Sequence, residues 1–298
     1  MIGKSSYKVS DLVLYKQNEA FIRFACDKGI AQELADYFTF YVPGYQFMPA
    51  YKNRLWDGKI RLADLRSSTI YHGLVPYIEK FCTERGYKLD IDSTVNGTVN
   101  FSVKEANDFI NDLNLDTSII AQGARDYQVK SFITAVRSKR MLLLSPTGSG
   151  KSLIQYFILR YLQSKDYKKG LLIVPTTSLV EQMYSDFVSY GYDSEQYCHR
   201  QYSGKDKTTE KFLTITTWQS IYKNPPEYFE QFDFVLGDEA HQFKAKSLTT
   251  IMTGLTKAKY RIGCTGTIDG TQTVENGVLA GPITIPGTIT VTGTLVIV

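Results

Sequence analysis

The spacing of apolar positions divides the chain into three regions. Short alternating stretches such as FIRFAC and KIRLADL mix with helix-like ones such as AQELADYFTF, which predicts a small α+β domain over residues 1–115. From Ala124 onward, short apolar runs alternate with helix-length segments, a pattern typical of a parallel sheet covered on both faces. We place this α/β domain at residues 116–270. The last region, residues 271–298, has a pattern of its own.

The tail repeats every six residues, in the units GPITIP, GTITVT and GTLVIV from residue 281. Alternation within each unit favours strands, and such repeats can stack into a β-solenoid or an intertwined trimer. Three units are few for a solenoid, so a disordered or aggregation-prone tail is an equal alternative. A fusion, a frameshift or a split gene could each produce this β-repeat tail, and its role stays open.

Composition changes this picture little. A formal charge of +4 over 298 residues allows a nucleic-acid partner without requiring one. Cys26, Cys82, Cys198 and Cys264 form no CxxC pair, which argues against a disulfide framework or a zinc site and favours reduced thiols. The chain shows neither a charged leader before an apolar core nor an apolar run of about 18 residues. We therefore expect a cytoplasmic protein with no membrane partner.

A loop of small residues, SPTGSGKS, follows the apolar strand MLLL and opens a helix. Such a loop lets backbone N–H groups surround phosphates at the positive end of the helix dipole. Lys151 is expected to reach the β- and γ-phosphates, and Ser152 to ligate Mg²⁺. Ser145 stands where the general pattern has Gly, and a small residue still fits there. The predicted cofactors are a nucleoside triphosphate and Mg²⁺, bound by Thr147, Gly148, Ser149, Gly150, Lys151 and Ser152.

A second strand ends in carboxylates, in the stretch VLGDEAH. Because parallel strands end at one edge of a sheet, Asp238 and Glu239 should face the phosphate loop, where Asp238 can hold Mg²⁺ and Glu239 can orient the attacking water. Without that loop, a solvated turn would be the simpler interpretation. His241 is expected to link the site by hydrogen bonding to the next strand. Hydroxyls at the end of that strand, from Thr265 and Thr267, can relay the nucleotide state.

In this order, these residues resemble the first motor domain of a superfamily 2 helicase of the DEAH-box type. The resemblance implies a RecA-like P-loop fold that uses ATP. RDYQ at residues 125–128 resembles the glutamine motif, which implies that Gln128 contacts adenine with Arg125 beside it. VPTTSLVEQ and TITTWQS resemble motifs Ia and Ib, although each alone would be a strand and a helix cap. In the family these motifs touch the DNA backbone, which implies contacts by Pro175, Thr176, Thr177, Gln182, Thr216 and Thr217.

The stretch GYQFMPAYKNRLWDGKIRL, at residues 44–62, is similar to the start of the UvsW-type helicases of T-even phages. The resemblance therefore covers about residues 10–270. Cations that neutralise phosphates, beside rings that can stack on bases, suit branched or single-stranded DNA. The alternative is a hairpin with a solvated charged face and a tryptophan in the core. The predicted nucleic-acid contacts here are Lys52, Arg54, Trp56, Lys59 and Arg61.

The family resemblance implies ATP-driven remodelling of branched DNA and R-loops in phage recombination and replication. Expected partners are thus DNA and RNA–DNA hybrids. A motor of this family closes its ATP site with arginines from a second RecA-like domain, and nothing after Gly270 resembles one. We expect low turnover unless a partner protein supplies that domain.

Two alternatives remain. One is a DNA- and ATP-binding module without autonomous unwinding. The other is the ATPase subunit of a restriction or nuclease complex, which would need a nuclease centre on the same chain or on a partner. The sequence shows no acidic cluster of the nuclease type.

Overall fold

The structure is a computed structural model that describes residues 10–95, 97–115, 123–145, 148–202, 209–241 and 246–266, together with the backbone of four short strands within residues 271–297. The chain forms two compact units, Met1–Gly97 and Thr98–Val298. Both units contain helices and strands, which confirms the expected α/β fold class. Within the described ranges, no helix has the length and apolar character needed to cross a membrane.

The first unit is an α+β domain. Its elements are β1 (Leu12–Lys16), β2 (Phe21–Cys26), α1 (Lys28–Tyr37), β3 (Thr39–Tyr41), α2 (Pro49–Lys52), β4 (Lys59–Arg61), β5 (Ala63–Asp64), β6 (Thr69–Tyr71), α3 (Val75–Arg85) and β7 (Leu89–Ile91). Five strands form one sheet in the order β5-β6-β2-β1-β7, in which only the β1–β7 pair is parallel. Strands β3 and β4 pair separately and antiparallel.

Alternation of apolar residues explains the core of this unit. Leu12 and Leu14 of β1 and Ile22 of β2 are fully buried, as expected for residues two apart on one face of a sheet. Leu34 of α1 and Phe81 of α3 belong to the same apolar cluster. The two helices therefore cover one face of the sheet.

The second unit begins with a six-stranded parallel sheet. Its elements are α4 (Val103–Asp112), α5 (Asp126–Ser138), β8 (Arg140–Leu144), α6 (Lys151–Ser164), β9 (Gly170–Val174), α7 (Thr177–Ser189), α8 (Ser194–Tyr197), β10 (Cys198–Gln201), β11 (Leu213–Thr217), α9 (Trp218–Ile221), α10 (Pro226–Glu230), β12 (Phe234–Gly237), α11 (Lys246–Gly254) and β13 (Tyr260–Thr265). The strand order is β10-β11-β9-β12-β13-β8, and every pair is parallel. This is the expected RecA-like arrangement.

Helices cover both faces of this sheet. Along β9, Leu172 and Val174 belong to the apolar cluster that includes residues of α5, α6 and α7. Leu171 and Ile173 belong to a second cluster with residues of α9, α10 and α11. Each of these β9 residues therefore points to one of two cores, and this explains why β9 is apolar throughout rather than alternating.

The boundary between the units differs from the one expected at residue 115. Helix α4 begins with a reciprocal capping box between Ser102 and Glu105, and its neighbour Phe101 packs edge-on against Phe132 of α5 at 5.3 Å between ring centroids. Arg137 Nε also donates a 2.8 Å hydrogen bond to the Phe101 carbonyl. Residues 98–115 thus belong to the second unit, because their apolar face is buried in its core.

Gly170 opens β9 where no side chain fits. A Cβ at this position would lie 2.0 Å from the ring of Phe234, which is itself fully buried. We expect Gly170→Ala to lower the free energy of unfolding by about 3 kcal/mol, because overpacked cores must shift their neighbours. Denaturation followed by circular dichroism measures the loss.

Gly73→Ala is the control, since a Cβ there meets nothing within 4 Å. Adding Phe234→Leu to Gly170→Ala should recover part of the lost stability. Equal stability of the two alanine variants would contradict the steric explanation.

The tail forms strands β14 (Thr271–Val274), β15 (Gly277–Leu279), β16 (Thr288–Val291) and β17 (Leu295–Ile297). Strand β15 pairs in parallel with β8 and with β17, and β14 pairs in parallel with β16. Thr271 lies opposite Thr288, and Gly277 lies opposite Leu295, so paired positions are 17 and 18 residues apart. That separation is close to three of the six-residue repeats, as in a coil with three units per turn.

Candidate nucleotide site and nucleic-acid surfaces

The described residues of the loop between β8 and α6 are Ser145 and residues 148–150, which lead directly into α6. Gly148 and Gly150 have φ angles of 81° and 78°, a left-handed backbone conformation that favours glycine. The hydroxyls of Ser145 and Ser149 are hydrogen-bonded to each other across the loop. Thr147, predicted as a further binding residue, lies outside the described residues. The described part has the form of a phosphate cradle at a helix N-terminus.

Lys151 is the first residue of α6 and folds back over the loop. Its Nζ donates a 3.2 Å hydrogen bond to the Ser145 carbonyl and lies 4.0 Å from Glu239 Oε1. The Lys151 side chain is 14% exposed. A mostly buried ammonium group beside a loop of this form is suited to neutralise phosphate charge.

Asp238 follows β12 and stays in register with the sheet, since its backbone N–H donates to the Ile173 carbonyl at 2.9 Å. Burial raises the pKa of the Asp238 carboxyl, and the charge of Glu239 raises it further. Within the described residues, Oδ1 of Asp238 is buried without a hydrogen-bond partner. A buried carboxylate oxygen of this kind fits a hard divalent cation, which would supply the missing interaction.

Glu239 has a left-handed backbone conformation with a φ angle of 48°. This conformation is rare for a residue with a long side chain and costs about 1–3 kcal/mol. The two carboxylate oxygens of Glu239 have different partners. Oε1 faces Lys151, and Oε2 lies 3.2 Å from His241 Nδ1. Strained residues of this kind cluster at active sites.

His241 joins the acidic pair to β13. Its Nδ1 lies 2.8 Å from Thr265 Oγ1, and the Thr265 hydroxyl also lies 3.4 Å from Glu239 Oε2. Thr265 is fully buried. The structure therefore brings Glu239, His241 and Thr265 together as the sequence predicts, whereas Thr267 lies outside the described residues.

The carboxamide of Gln128 is hydrogen-bonded to backbone groups of the protein. Its Oε1 accepts the Arg125 backbone N–H at 2.9 Å, and its Nε2 donates to the Ser149 carbonyl at 3.2 Å. The side chain is 4% exposed. A carboxamide has a second lone pair and a second N–H, so adenine recognition by Gln128 stays a prediction. In this structure Gln128 supports the phosphate loop.

The residues of motif Ia lie at the exposed start of α7. Thr176 caps the helix, with its Oγ1 accepting the Leu179 N–H at 3.3 Å. Thr176, Thr177 and Gln182 are exposed, and Pro175 is half-buried. This group can meet a DNA backbone through hydroxyls and helix-start amides.

The two threonines of motif Ib, unlike those of motif Ia, are buried. Thr216 is fully buried, and its hydroxyl donates to the Gln201 carbonyl at 2.7 Å. Thr217 is 4% exposed, and its hydroxyl lies 2.9 Å from that of Ser220. The structure keeps both hydroxyls inside the protein, because β11 is covered on both faces.

The predicted basic and aromatic residues of the first unit lie on β4 and the segment before it. Lys52 and Arg54 are exposed. Trp56 is half-buried and donates its ring N–H to the Lys59 carbonyl at 2.9 Å. Lys59 Nζ lies 4.9 Å from the centre of the Tyr41 ring.

Arg61, the last of these predicted contacts, is paired. Its guanidinium is hydrogen-bonded to Asp57, and these bonds hold the pKa of the Asp57 carboxyl at about 2. Part of the positive charge of this surface is therefore compensated, and Lys52 and Arg54 stand as its exposed cations.

Several residues of both surfaces are absent from the sequence prediction. Phe47 and Leu55 are 77% and 80% exposed among the cations of the first unit. Tyr127 donates a 2.5 Å hydrogen bond to the Ser149 carbonyl, and Tyr190 lies 2.9 Å from the Ser152 hydroxyl. The sequence signal for Tyr127 is its place beside Gln128. For Tyr190, no local pattern indicates contact with a residue so distant in the chain.

Comparisons with known proteins agree with both units. The family model for the type III restriction enzyme res subunit matches residues 118–270, about half of the chain, and the model for the N-terminal region of DNA helicase UvsW matches residues 11–92. The ATP-dependent DNA helicase uvsW of Enterobacteria phage T4 is 33% identical over 263 residues, which cover 87% of this chain and 52% of the relative. The chain thus spans about half the length of that relative.

Solved structures give the same result. A crystal structure of the UvsW helicase from bacteriophage T4 matches with a TM-score of 0.79 and 32% identity, over 86% of this chain and 92% of that one. A second T4 UvsW structure matches with a TM-score of 0.79 and 28% identity, over 91% of this chain and 60% of that one. Together with the phosphate loop and the acidic pair, these matches show that the chain belongs to the UvsW family of superfamily 2 DNA helicases.

Proposed function

We propose that this chain carries the ATP-binding and DNA-binding half of a helicase that remodels branched DNA. The observation that carries the proposal is the convergence of Lys151, Asp238 and Glu239 at the mouth of the phosphate loop. Lys151 lies 4.0 Å from Glu239, and the Oδ1 atom of Asp238 is buried without a partner among the described residues. The three groups provide what phosphoryl transfer from ATP needs: a cation for the phosphates, a metal ligand and a carboxylate for water.

Mg²⁺ is the metal that this donor set fits. Asp238 and the hydroxyl of Ser152 supply hard oxygen ligands, and Mg²⁺ binds through few protein ligands together with substrate phosphates. The bound ion would neutralise charge on the transferring phosphoryl group. Lys151 binds the phosphates, and Glu239 orients the attacking water.

Branched DNA is the substrate that the first unit supports. Exposed Lys52 and Arg54 can neutralise phosphates, and exposed Phe47, Tyr51 and Leu55 lie beside them. Unpaired bases at a fork, a junction or an R-loop offer aromatic faces that a duplex hides, and stacking on them does not depend on sequence. A role in phage recombination and replication, with RNA–DNA hybrids among the substrates, follows from such a substrate class.

A second candidate function is an ATP- and DNA-binding module that does not unwind by itself. The groups that would bind ATP in this alternative are those described above, Lys151 beside Glu239 and the buried Oδ1 atom of Asp238. Motors of this superfamily complete the ATP site with arginines from a second RecA-like domain, and such arginines accelerate related reactions by about 10³–10⁵. In this alternative a partner provides that domain.

ATP hydrolysis by the purified chain separates the two candidates. DNA-stimulated turnover on the order of 1 s⁻¹, typical of many ATP-hydrolysing enzymes, supports the autonomous motor. Nucleotide and DNA binding with negligible turnover supports the binding module. Failure to bind ATP in the presence of Mg²⁺ would contradict both.

The DNA surface of the first unit has its own test. Lys52→Gln with Arg54→Gln should weaken binding to forked DNA about tenfold and lower the slope of log affinity against log salt by about 2, one for each lost phosphate contact. Fluorescence anisotropy at several salt concentrations measures both quantities.

Lys80→Gln with Lys88→Gln removes the same charge from exposed positions elsewhere in the unit. If this control pair weakens binding as much as the first pair, the effect is one of net charge, and the assigned surface is wrong.

A further inference from the structure

The hydroxyl of Ser152 is held by the end of helix α7. Ser152 Oγ lies 2.9 Å from the phenol oxygen of Tyr190, the residue that follows α7. The Tyr190 ring packs against the ring of Tyr156, with centroids 5.3 Å apart, and Tyr156 is fully buried on α6. The position of the Tyr190 ring is therefore fixed by its packing against the core residue Tyr156.

This contact occupies the atom expected to ligate Mg²⁺. Ser152 bonds to α7, while the Oδ1 atom of Asp238, the other expected ligand, is buried without a partner among the described residues. A hydroxyl has a single proton and two lone pairs. A hydrogen bond to Tyr190 therefore limits the availability of the Ser152 hydroxyl to a metal. The Ser152 hydroxyl is therefore a group that the end of α7 and the expected metal would both use.

Asp186 lies one turn before Tyr190 on α7 and faces the same hydroxyl. Burial raises the pKa of its carboxyl, and a hydrogen bond from Ser152 acts in the opposite direction. Asp186 of α7 and Tyr190 at its end are therefore both hydrogen-bonded to Ser152, a residue of the phosphate-loop motif. The contact is longer-range than a local turn, because Ser152 and Tyr190 are separated by 38 positions.

We propose that Tyr190 is a positioning residue whose hydrogen bond competes with the metal for the Ser152 hydroxyl, and thereby links binding of Mg²⁺-nucleotide to helix α7. On binding, Ser152 turns from Tyr190 towards the metal and α7 loses one anchor. The inference rests on the proposed nucleotide site. Tyr190 touches neither the phosphates nor the metal and acts only through Ser152.

The link can extend to DNA because the other end of α7 carries exposed residues of motif Ia. Thr176 caps the helix and Thr177 opens it, on the surface proposed to meet DNA. The position of α7 then depends both on the hydrogen bond of Tyr190 at one end and on DNA bound at Thr176 at the other. Thermodynamic linkage then requires that DNA and Mg²⁺-nucleotide change each other's affinity by the same factor.

Tyr190→Phe tests the proposal, because it removes the phenol hydroxyl and keeps the ring that packs on Tyr156. The affinity for a fluorescent ADP analogue is measured with the full chain, once with Mg²⁺ and once with EDTA. We expect affinity with Mg²⁺ to rise about threefold to tenfold, the value of one hydrogen bond, and affinity with EDTA to stay unchanged. The factor by which forked DNA changes nucleotide affinity should fall towards one.

Tyr192→Phe is the matched control. Tyr192 lies two residues further along, also packs against Tyr156, and donates its hydroxyl to Gln163 instead of contacting Ser152. It should leave the Mg²⁺ dependence of affinity as in the parent chain, since its hydrogen bond does not involve a metal ligand.

Each outcome decides the matter. Unchanged or weakened affinity of Tyr190→Phe with Mg²⁺ overturns the proposal, and weakened affinity would mean that Tyr190 orients Ser152 towards the metal. An equal rise with EDTA also overturns it, because it would show a general structural effect. If the parent chain binds no nucleotide under either condition, the proposed nucleotide site itself fails.

Discussion

Lys151→Ala is expected to weaken ATP binding about 100-fold, about 2.7 kcal/mol, which is in the range of hydrogen bonds to charged groups. Lys151 is the cation that lies over the phosphate loop, 4.0 Å from Glu239 and hydrogen-bonded to the Ser145 carbonyl. Without it, the carboxylates of Asp238 and Glu239 would face the phosphates with only the metal between them. Titration with a fluorescent ATP analogue and Mg²⁺ measures the affinity.

Lys130→Ala is the matched control, because Lys130 is exposed on α5 and lies outside the loop. It should bind the analogue as the parent chain does. Circular dichroism of both variants shows that the fold is retained. If Lys151→Ala binds within threefold of the parent chain, the phosphate-binding role of this lysine is wrong.

Glu239→Gln is expected to separate binding from chemistry. The substitution keeps the shape of the side chain and removes its charge, so Mg²⁺-ATP should bind within about threefold of the parent affinity. Hydrolysis should slow by about 10²–10⁴, the contribution typical of a side chain that takes a proton from the attacking water. Single-turnover hydrolysis, with protein in excess over ATP and saturating forked DNA, makes even a slow rate measurable.

Glu230→Gln is the control at an exposed position near the end of α10. Its rate should equal that of the parent chain. A rate for Glu239→Gln within tenfold of the parent would assign the orientation of water to another group. Loss of ATP binding in Glu239→Gln would instead show that the carboxylate organises the loop.

The parts that the sequence could predict are those where backbone chemistry limits the choice of residue. Gly150 has a left-handed backbone, and a Cβ there would lie 2.4 Å from Gln128 Nε2, so a small residue is required and the loop is recognisable. The apolar runs of β8 to β13 predict a sheet covered on both faces for a similar reason. Burial on two sides favours apolar residues along a strand, and the Thr216 hydroxyl in β11 is buried with a hydrogen-bond partner.

The parts that the sequence could not predict depend on contacts between distant segments. Helix α4 has one apolar face, and its pattern does not say which of two cores covers it; Phe101 and Phe132 decide this by packing together. Thr216 lies near the end of buried strand β11, and Thr176 closely follows buried strand β9. Only the structure shows that Thr216 is enclosed while Thr176 is exposed.

The exposed apolar residues of the first unit were also beyond prediction. Phe47 ends a single 3-10 turn, Tyr45–Phe47, and Leu55 lies in the loop after α2, so neither belongs to an element long enough for a periodic pattern to assign it to a surface or to a core. The neighbouring Lys52 and Arg54 are predicted from their charge beside aromatic residues and from the family resemblance of the stretch that contains them.

Glu239 has a left-handed backbone with a φ angle of 48°. At this residue, a gain in stability of the fold would therefore come with a loss of activity. Glycine at this position would relax the backbone and lengthen the lifetime of the folded state, yet it would remove the carboxylate that we propose to orient the attacking water. Selection for a more durable protein and selection for a faster one would therefore favour different residues at position 239. The backbone strain at Glu239 is thus the cost in stability of the chemical role proposed for its carboxylate.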